Sequence, residues 1–283
     1  EIRLSLVGSE MCIRDRVTVV DANRFINDIN SEDLLIDRDQ SVSEEDERTI
    51  ADLLIDQVEF CDVMIINKTD LVSKDALNRL EQILTTLQPE AKVIKTVNAK
   101  VDLSEVLNTQ RFDFEKASES AGWIKELTEG GHAEHTPETE EYGISSFVYR
   151  RQLPFHAERF NEWLEHMPEN IVRAKGIVWL AQYNQVACLF SQAGSSQSIY
   201  PVTYWVASMP RAKQEMILEE RPDVAEEWDL EYGDRHTQFV IIGTNLNQEQ
   251  IIKDLDQCLI NSNEIDADWS QLSDPYHWTI TSQ

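Results

Sequence analysis

The sequence predicts two domains: a partial doubly wound α/β domain and, after it, a smaller α+β domain. In the first half, apolar runs rich in β-branched residues alternate with stretches of helical periodicity, which is typical of a parallel sheet flanked by helices. In the second half, strand-like runs follow one another, with helical stretches near both ends, which favours an antiparallel or mixed sheet with helices on one face. The predicted organisation is a non-native stretch (1–16), the α/β domain (17–115), a linker (116–142), the α+β domain (143–264) and a tail (265–283).

Composition argues against two classes of partner. The chain has 283 residues with 25 Lys and Arg against 52 Asp and Glu, a net charge of -27. Such a surface repels phosphate backbones and anionic lipid, so we expect neither nucleic acid nor a membrane surface as partner. No apolar run reaches transmembrane length. The four cysteines lie far apart, without the spacing of a disulfide framework or a cysteine zinc site, which fits a reducing cytoplasm.

The first sixteen residues differ from the rest of the chain. The stretch 1–16 (EIRLSLVGSEMCIRDR) carries no helix or strand period and resembles translated sequencing-adapter stretches at the ends of assembled metagenomic genes. We interpret it as non-native and leave it out of the fold prediction, as one would an expression scar. The alternative is an irregular native strand. If the stretch is foreign, the chain begins in the middle of a domain.

The predicted α/β domain consists of three strands separated by helices. A helix opened by Ser43, with acids in its first turn, would turn Ile50, Leu53, Leu54 and Val58 inward. A second helix, capped by Ser73, runs to Leu87. The predicted strands are 17–21, 62–66 and 93–97, and the predicted helices are 22–29, the helix from 43, 73–87 and a short one at 102–107.

The clearest chemical signal is Asn67-Lys68-Thr69-Asp70, which directly follows the apolar run 63–66. Open α/β sheets bind ligands at the carboxyl ends of their strands, where this tetrapeptide would lie. Asn-Lys-x-Asp is the guanine-reading motif of GTPases. The Asp70 carboxylate would accept the ring N–H and the exocyclic amine of guanine, a donor pair that adenine lacks. Lys68 would lay its aliphatic stem along the base, and Asn67 would tie the loop together. The alternative is an ordinary polar turn with an Asp cap.

A second loop at the next strand end suits another guanine contact. In Asn98-Ala99-Lys100, the Ala99 amide would point toward the base carbonyl and Lys100 would flank the ring. The chain lacks the loop motif that binds the phosphates of a nucleotide, because no G-x-x-x-x-G-K-[ST] sequence occurs in the 283 residues. Without that loop there is no backbone cradle for phosphates and no hydroxyl for Mg²⁺.

The linker contains a pair of histidines that suits a weak metal site. His132 and His135 lie three residues apart among Glu129, Glu134 and Glu138, which suits loose binding of Zn²⁺ or Ni²⁺. Two histidines are too few for a closed site. The alternative, an acidic linker with incidental histidines, stays open.

The α+β domain is predicted as a β-α-β-β-β-β-α succession. Its strands are 143–150, 171–180, 186–191, 200–207 and 238–243, and its helices begin at Pro154 and span 248–259. Arg173 and Lys175 would project from one face of their strand, either toward an acidic partner or phosphate, or into cross-strand pairs with Asp or Glu.

With these features together, the chain resembles the CobW family of GTP-dependent metallochaperones. The resemblance covers about residues 17–264, and the zinc-supplying branch is the more similar one. The residues that carry it are VVDA at 19–22, IINKTD at 65–70, YGISSFVYR at 142–150, PFH at 154–156, RAKG at 173–176 and VIIG at 240–243.

The resemblance implies a function. Such proteins bind GTP with Mg²⁺, hydrolyse it to GDP and phosphate, and transfer a divalent metal, usually Zn²⁺, to a client metalloprotein. Asn67, Lys68 and Asp70 would read guanine, with Ala99 and Lys100 in the second base loop, and His132 and His135 would gather metal. The family's phosphate loop and its Cys-x-Cys-Cys metal motif are absent from these 283 residues. Whether the chain is an enzyme is therefore left open, and we expect no GTP turnover from it.

Three alternatives remain at this point. The chain is a non-catalytic metal or protein adaptor, whose second domain docks clients; a cobalt-handling relative acting in corrin synthesis; or an unrelated GTPase without a metal role. No residue in the chain chooses among metals.

Overall fold

A computed structural model describes residues 15–31, 33–35, 49–112, 124 and 143–280. These belong to two compact units, Glu1–Lys125 and Glu126–Gln283, which are considered separately below. The predicted cap Ser43, the metal-site candidates His132 and His135, and the linker 116–142 apart from Ile124 lie outside the described residues. Among the described residues, no helix combines the length and the apolar character that crossing a bilayer requires.

The first unit contains a parallel sheet of three strands in the order β1-β2-β3. The strands are β1 (Val17–Asp21), β2 (Val63–Asn67) and β3 (Lys92–Lys95). Residues 63–66 of β2 are all buried, as expected of a central parallel strand covered on both faces. In the register, Asp21 is paired with Asn67, so the carboxyl ends of these two strands meet at one edge.

The helices described beside this sheet include α1 (Phe25–Ile29), α2 (Ile50–Glu59) and α3 (Lys74–Leu87). Ser73 caps α3 as predicted, since its side chain accepts the Ala76 amide. The prediction for α2 was wrong in its start. The helix begins at Ile50, where Thr49 and Asp52 form a reciprocal capping box that satisfies the first free backbone amides.

The buried face of α2 also differs from the predicted one. Ile50 and Val58 are buried as expected, but Ile55 is fully buried in place of Leu53 and Leu54, which are half-buried. Ala51, Ile55 and Val58, spaced four and three residues apart, form the buried face of the helix. This face is rotated from the predicted one, which contained Leu53 and Leu54.

The second unit is an antiparallel sheet of five strands in the order β4-β8-β5-β6-β7, which confirms the predicted α+β class. Two helices, Arg211–Glu220 and Pro222–Glu226, lie between the fourth and the last strand of this unit in the sequence. The elements are β4 (Ile144–Arg151), α4 (Ala157–Glu165), β5 (Ile171–Val178), β6 (Val186–Ala193), β7 (Ser196–Tyr204), α5 (Arg211–Glu220), α6 (Pro222–Glu226), β8 (Thr237–Thr244) and α7 (Gln248–Cys258).

Aromatic side chains dominate the core between this sheet and helices α4 and α7. Phe155 stacks on Phe160 with ring centroids 4.4 Å apart, and Phe160 meets Phe190 edge to face at 5.7 Å. Phe190 in turn meets Phe239 edge to face at 5.4 Å. Such offset and edge contacts add to the free energy of burying each ring, about 0.5–1.5 kcal/mol per pair.

Of the two alternatives for Arg173, contact with an acidic partner or phosphate is wrong, since the residue is buried and bonds across the strand pair, although to neutral groups of β6 in place of the expected Asp or Glu. Only 2% of the residue is accessible to solvent. Its Nη1 donates to the Ser191 hydroxyl at 3.0 Å and to the Gln192 carbonyl at 3.1 Å, across the β5–β6 pair. The guanidinium of Arg173 thus donates to neutral oxygens of the neighbouring strand. Because the side chain is buried, it cannot contact an acidic partner or a phosphate at the surface. Lys175, two residues on, is half-buried.

The segment predicted as a tail belongs to the second unit as far as it is described. From Leu272 to Ile280 alternate residues are half-buried and exposed. Tyr276, Trp278 and Ile280 pack against the aromatic core. The Tyr183 hydroxyl donates to Asp274 at 2.5 Å and accepts the Trp278 amide at 2.8 Å, which holds this segment in place.

The Arg159–Glu264 pair makes the second unit's stability depend on pH. Two nearly parallel bonds of 2.7 and 2.8 Å join the guanidinium and carboxylate, and the bond from Arg159 lowers the pKa of Glu264 to about 2. A carboxylate with a lowered pKa stabilises the fold above its unfolded value near 4.5, and this stabilisation is lost as pH falls toward 2.

Glu264→Gln is therefore expected to lower the free energy of unfolding by about 1–2 kcal/mol at pH 7, and by almost nothing near pH 2. The effect is smaller than the full pKa shift implies because water screens the partly exposed pair. Urea unfolding at both pH values measures it, with the exposed Glu219→Gln as the matched control. An equal loss of stability at both pH values would contradict the assignment.

Candidate functional site

The candidate site lies at the carboxyl edge of the parallel sheet, where three strand ends come together. Asp21 ends β1 and Asn67 ends β2, and the backbone amide of Ala22 donates to the Asn67 carbonyl at 3.0 Å. β3 ends at Lys95, next to Thr96. Polar side chains are thus collected at this edge, which is the binding edge of open α/β folds.

Hydrogen bonds join the two predicted base loops to each other. The Ala99 amide donates to Asn67 Oδ1 at 3.0 Å, and both the amide and the hydroxyl of Thr69 donate to the Thr96 carbonyl, at 3.3 and 3.1 Å. The Thr96 hydroxyl donates to the Lys100 carbonyl at 2.8 Å. The loop 67–70 and the loop 98–100 are therefore joined into one connected surface.

The backbone at this surface takes the left-handed conformation three times without glycine. Lys68 has φ of 60°, Asn98 has 53° and Ala99 has 54°. The left-handed region is unfavourable for residues with a Cβ, least so for asparagine. Such conformations collect at functional loops and are held there by surrounding bonds, here those to Asn67 and Thr96.

The Lys68 side chain is bound by an acid that the sequence prediction did not assign to the site. Lys68 Nζ lies 2.5 Å from Asp21 Oδ2. Burial alone would raise the pKa of Asp21, but bonds from Lys68 and from the Asn23 amide outweigh burial and lower it. The sequence showed that strands 17–21 and 63–66 are each followed or ended by polar residues, but the register that brings Asp21 level with Asn67 is seen only in the structure.

Asp70 is presented to solvent. It lies in a short 3-10 turn, Thr69–Leu71, that the Leu71 amide closes by donating to the Lys68 carbonyl at 3.0 Å. Asp70 is exposed, and its carboxylate makes no hydrogen bond or ion pair with any other described residue. The carboxylate is thus a free double acceptor at the edge of the sheet.

Lys100, the last of the predicted base-binding residues, is exposed beside Ala99. His132 and His135 lie outside the described residues, so the linker metal site stays a prediction. Within the described ranges, no three His, Cys, Asp or Glu side chains form a group able to hold a metal ion.

Cys61, Cys188 and Cys258 are buried free thiols, and burial raises the pKa of each to between about 11 and about 12.

Two domain profiles match this chain. The profile described as CobW/HypB/UreG, nucleotide-binding domain, matches residues 6–95, and that of the cobalamin synthesis protein cobW C-terminal domain matches residues 144–259. The first match starts inside the stretch interpreted as non-native, whose origin stays a prediction. The two matches follow the two compact units, and the first includes Asn67–Asp70.

Curated relatives align with most of the chain. Zinc-regulated GTPase metalloprotein activator 1 of Dictyostelium discoideum is 37% identical over 253 residues, covering 88% of this chain and 52% of that protein. A zinc chaperone of Mycobacterium tuberculosis is 25% identical over 267 residues, covering 92% and 60%. The chain thus spans between half and two thirds of these relatives' length.

The Zn(II)-bound YjiA GTPase from E. coli aligns at 18% identity, with a TM-score of 0.37, over 88% of this chain and 62% of that one. This score is too low to support a functional comparison, so the assignment rests on the domain profiles and the curated relatives.

Proposed function

Because this chain belongs to the CobW family, we propose that it is part of a GTP-dependent zinc metallochaperone, and that Asn67, Lys68 and Asp70 read the guanine base. Two relatives whose names state a zinc-linked role, one of them a GTPase, support this proposal. The observation that carries it is the exposed Asp70 carboxylate beside the joined base loops.

Asp70 supplies the discrimination between purines. Guanine presents a ring N–H and an exocyclic amine side by side, and the two carboxylate oxygens accept both at once. Adenine offers no such pair at this edge, so it would leave a desolvated charge without partners. Hydrogen bonds to a charged group contribute about 1.5–3 kcal/mol, and a buried acceptor left unmatched costs a similar amount.

Asn67 and Ala99 act on the opposite edge of the base. Asn67 Oδ1 accepts the Ala99 amide, which leaves the Nδ2 donors to face the purine's acceptor edge. For the Ala99 amide to reach the guanine carbonyl as predicted, it must share its hydrogen between Asn67 and the base, or leave Asn67. Lys100 would flank the ring from the exposed side.

The residues present fit the base of GTP but supply no phosphate or Mg²⁺ site. The sequence contains no phosphate-loop motif, and the described residues offer no cluster of carboxylates for a cation. When bound in a complete GTPase site, Mg²⁺ neutralises phosphate charge. We assign no step of hydrolysis to this chain, and its own residues bind and orient the base.

Zinc enters this proposal as cargo. His132 and His135 supply two neutral nitrogen ligands among acids, enough for loose capture and too few for a closed tetrahedral site. The recipient would be a client metalloprotein, and the free thiols fit a cytoplasmic location. A titration with Zn²⁺ tests this part, and His→Ala at both positions should abolish binding.

The base-reading proposal is tested by nucleotide binding to the whole 283-residue chain. Saturation-transfer NMR should show contact for GDP and for guanosine at millimolar concentration, and none for ADP or adenosine. Guanosine belongs in the series because base contacts alone should bind weakly yet retain the preference. GTP turnover should equal the buffer background. Equal signals from adenosine and guanosine would overturn the proposal. GTP turnover well above background would contradict the inference that this chain supplies no phosphate or Mg²⁺ site.

Asp21→Asn tests how Lys68 is held over the base. Loss of the ion pair is expected to weaken guanosine binding two- to fivefold, because exposed pairs of this kind contribute about 0.2–1 kcal/mol. Asp28→Asn, on the following helix and not paired with Lys68, is the matched control. Weakening by both substitutions alike would show a general loss of charge, and unchanged binding in Asp21→Asn would rule out the positioning role.

A further inference from the structure

The second unit contains an open cavity of about 480 Å³, a volume within the usual range of ligand sites. One wall is the turn 181–185, which joins β5 to β6, and the other is formed by residues 267–270 with Trp278 and Ile280. The cavity belongs wholly to the second unit and has no part in the guanine site.

Aromatic rings in fixed positions form much of its lining. Trp269 donates its indole N–H to the Glu264 carbonyl at 2.8 Å and meets Trp179 edge to face at 6.1 Å. Trp278 stacks on Tyr276 at 4.6 Å and lies 4.8 Å from Tyr183. These rings are held by the protein, so a ligand would lose little free energy in ordering them.

The polar part of the lining is acidic or neutral. Asp268 Oδ1 accepts the amide and the hydroxyl of Ser270, at 3.1 and 2.7 Å, and these bonds lower the pKa of Asp268, so it is charged at neutral pH. A side-chain hydrogen bond from Gln271 also lowers this pKa. Gln185 is exposed at the opposite wall. None of the lining residues is Lys or Arg.

The charge of the surrounding sequence points the same way. From residue 254 to the last residue the chain has no Lys or Arg, and its acids are Asp254, Asp256, Glu264, Asp266, Asp268 and Asp274. Two of these acids are neutralised by ion pairs, Asp256 by Arg151 and Glu264 by Arg159, and on the other wall Arg235 Nε donates to the Asn184 carbonyl at 3.0 Å. The cavity therefore joins indole rings to the Asp268 carboxylate, with no Lys or Arg in its lining.

We propose that this cavity binds an arginine side chain on an extended segment of a partner protein. A guanidinium stacks on indole faces and pairs with a carboxylate, and the cavity offers Trp269, Trp278 and Asp268 for these contacts. Arginine fits this cavity better than lysine because its planar guanidinium is weakly hydrated and can donate hydrogen bonds in two directions at once. The volume leaves room for the backbone on either side of that side chain.

The test uses the whole chain labelled with ¹⁵N and two synthetic peptides. The probe is acetyl-Gly-Arg-Arg-Gly-amide, and the matched control replaces both arginines with citrulline, which keeps shape and removes charge. The chain has seven tryptophans, whose indole signals are assigned with Trp→Phe variants. We expect the arginine peptide to shift the Trp269 and Trp278 signals with a Kd of about 1 mM, and to leave the buried Trp205 unchanged.

Substitution of the acid completes the test. Asp268→Asn should weaken the arginine peptide about three- to tenfold, while Asp266→Asn, outside the lining and also exposed, should leave it unchanged. The unperturbed signal of the buried Trp205 reports that each variant is folded. The proposal is overturned by the absence of shifts at about 10 mM peptide, by equal shifts with the citrulline peptide, or by equal effects of the two acid substitutions.

Discussion

Replacing Asp70 with asparagine is expected to remove the preference for guanine and to weaken guanosine binding about 10- to 150-fold. Asparagine offers one acceptor oxygen and an NH₂ group, so one donor of guanine loses its partner and faces another donor. The expected loss is the 1.5–3 kcal/mol of a charged hydrogen bond. Xanthine carries a carbonyl where guanine carries its amine, so Asp70→Asn should gain affinity for xanthosine. Competition between the two nucleosides in saturation-transfer NMR measures both effects.

The matched control is Asp75→Asn, which removes an equally exposed carboxylate in the next helix, α3. It should leave both nucleosides unaffected apart from a small change in helix stability. If Asp70→Asn binds guanosine as the unmodified chain does, then Asp70 does not read the base. If the control behaves like Asp70→Asn, surface charge and not base recognition explains the result.

Gly176→Ala is expected to lower the free energy of unfolding of the second unit by about 3–5 kcal/mol, among the largest effects of a single substitution. Gly176 lies in β5, between β8 and β6, with φ of 157°. An added Cβ would lie 2.3 Å from the Gln238 carbonyl oxygen and 2.4 Å from Phe239 Cα. Both atoms belong to the backbone of β8, so no side chain can rotate away.

Urea unfolding followed by tryptophan fluorescence measures this loss, with Ser198→Ala on the exposed edge strand β7 as the control. The control should change the free energy of unfolding by less than about 0.5 kcal/mol. A loss below about 1 kcal/mol in Gly176→Ala would mean that β8 moves aside at little cost. The close approach of the two strands would then not be required by the fold.

Residue periodicity predicted the elements well where a cap residue was unambiguous. The cap Ser73 was correct, and of the residues expected inside this helix Leu80, Ile83, Leu84 and Leu87 are buried and Leu77 is half-buried, because the cap and the 3.6-residue period agree there. The helix α2 was harder to predict, since both Ser43 and Thr49 are followed by acids. The reciprocal hydrogen bonds between Thr49 and Asp52, which only the structure shows, place the helix start after Thr49.

Pairings across strands could not be predicted from local patterns. The alternation of Arg173 and Lys175 with apolar residues left open either a partner contact or cross-strand pairing with an acid, and the structure shows that Arg173 is buried and donates to Ser191 and Gln192 on the neighbouring strand. The Lys68–Asp21 pair likewise joins residues 47 positions apart. Such contacts depend on strand register, which the sequence alone leaves open when both faces of a strand are buried.

The left-handed backbone at Ala99 has a consequence for how the site is maintained. A methyl side chain makes no hydrogen bond to offset the cost of this conformation, about 1–2 kcal/mol relative to an ordinary helical or extended backbone. The bond from the Ala99 amide to Asn67 helps to offset this cost, together with the bond from the Thr96 hydroxyl to the Lys100 carbonyl in the same loop. Any ligand that competes for that amide also changes the cost of keeping the loop closed, so occupancy of the base edge and loop order are thermodynamically coupled.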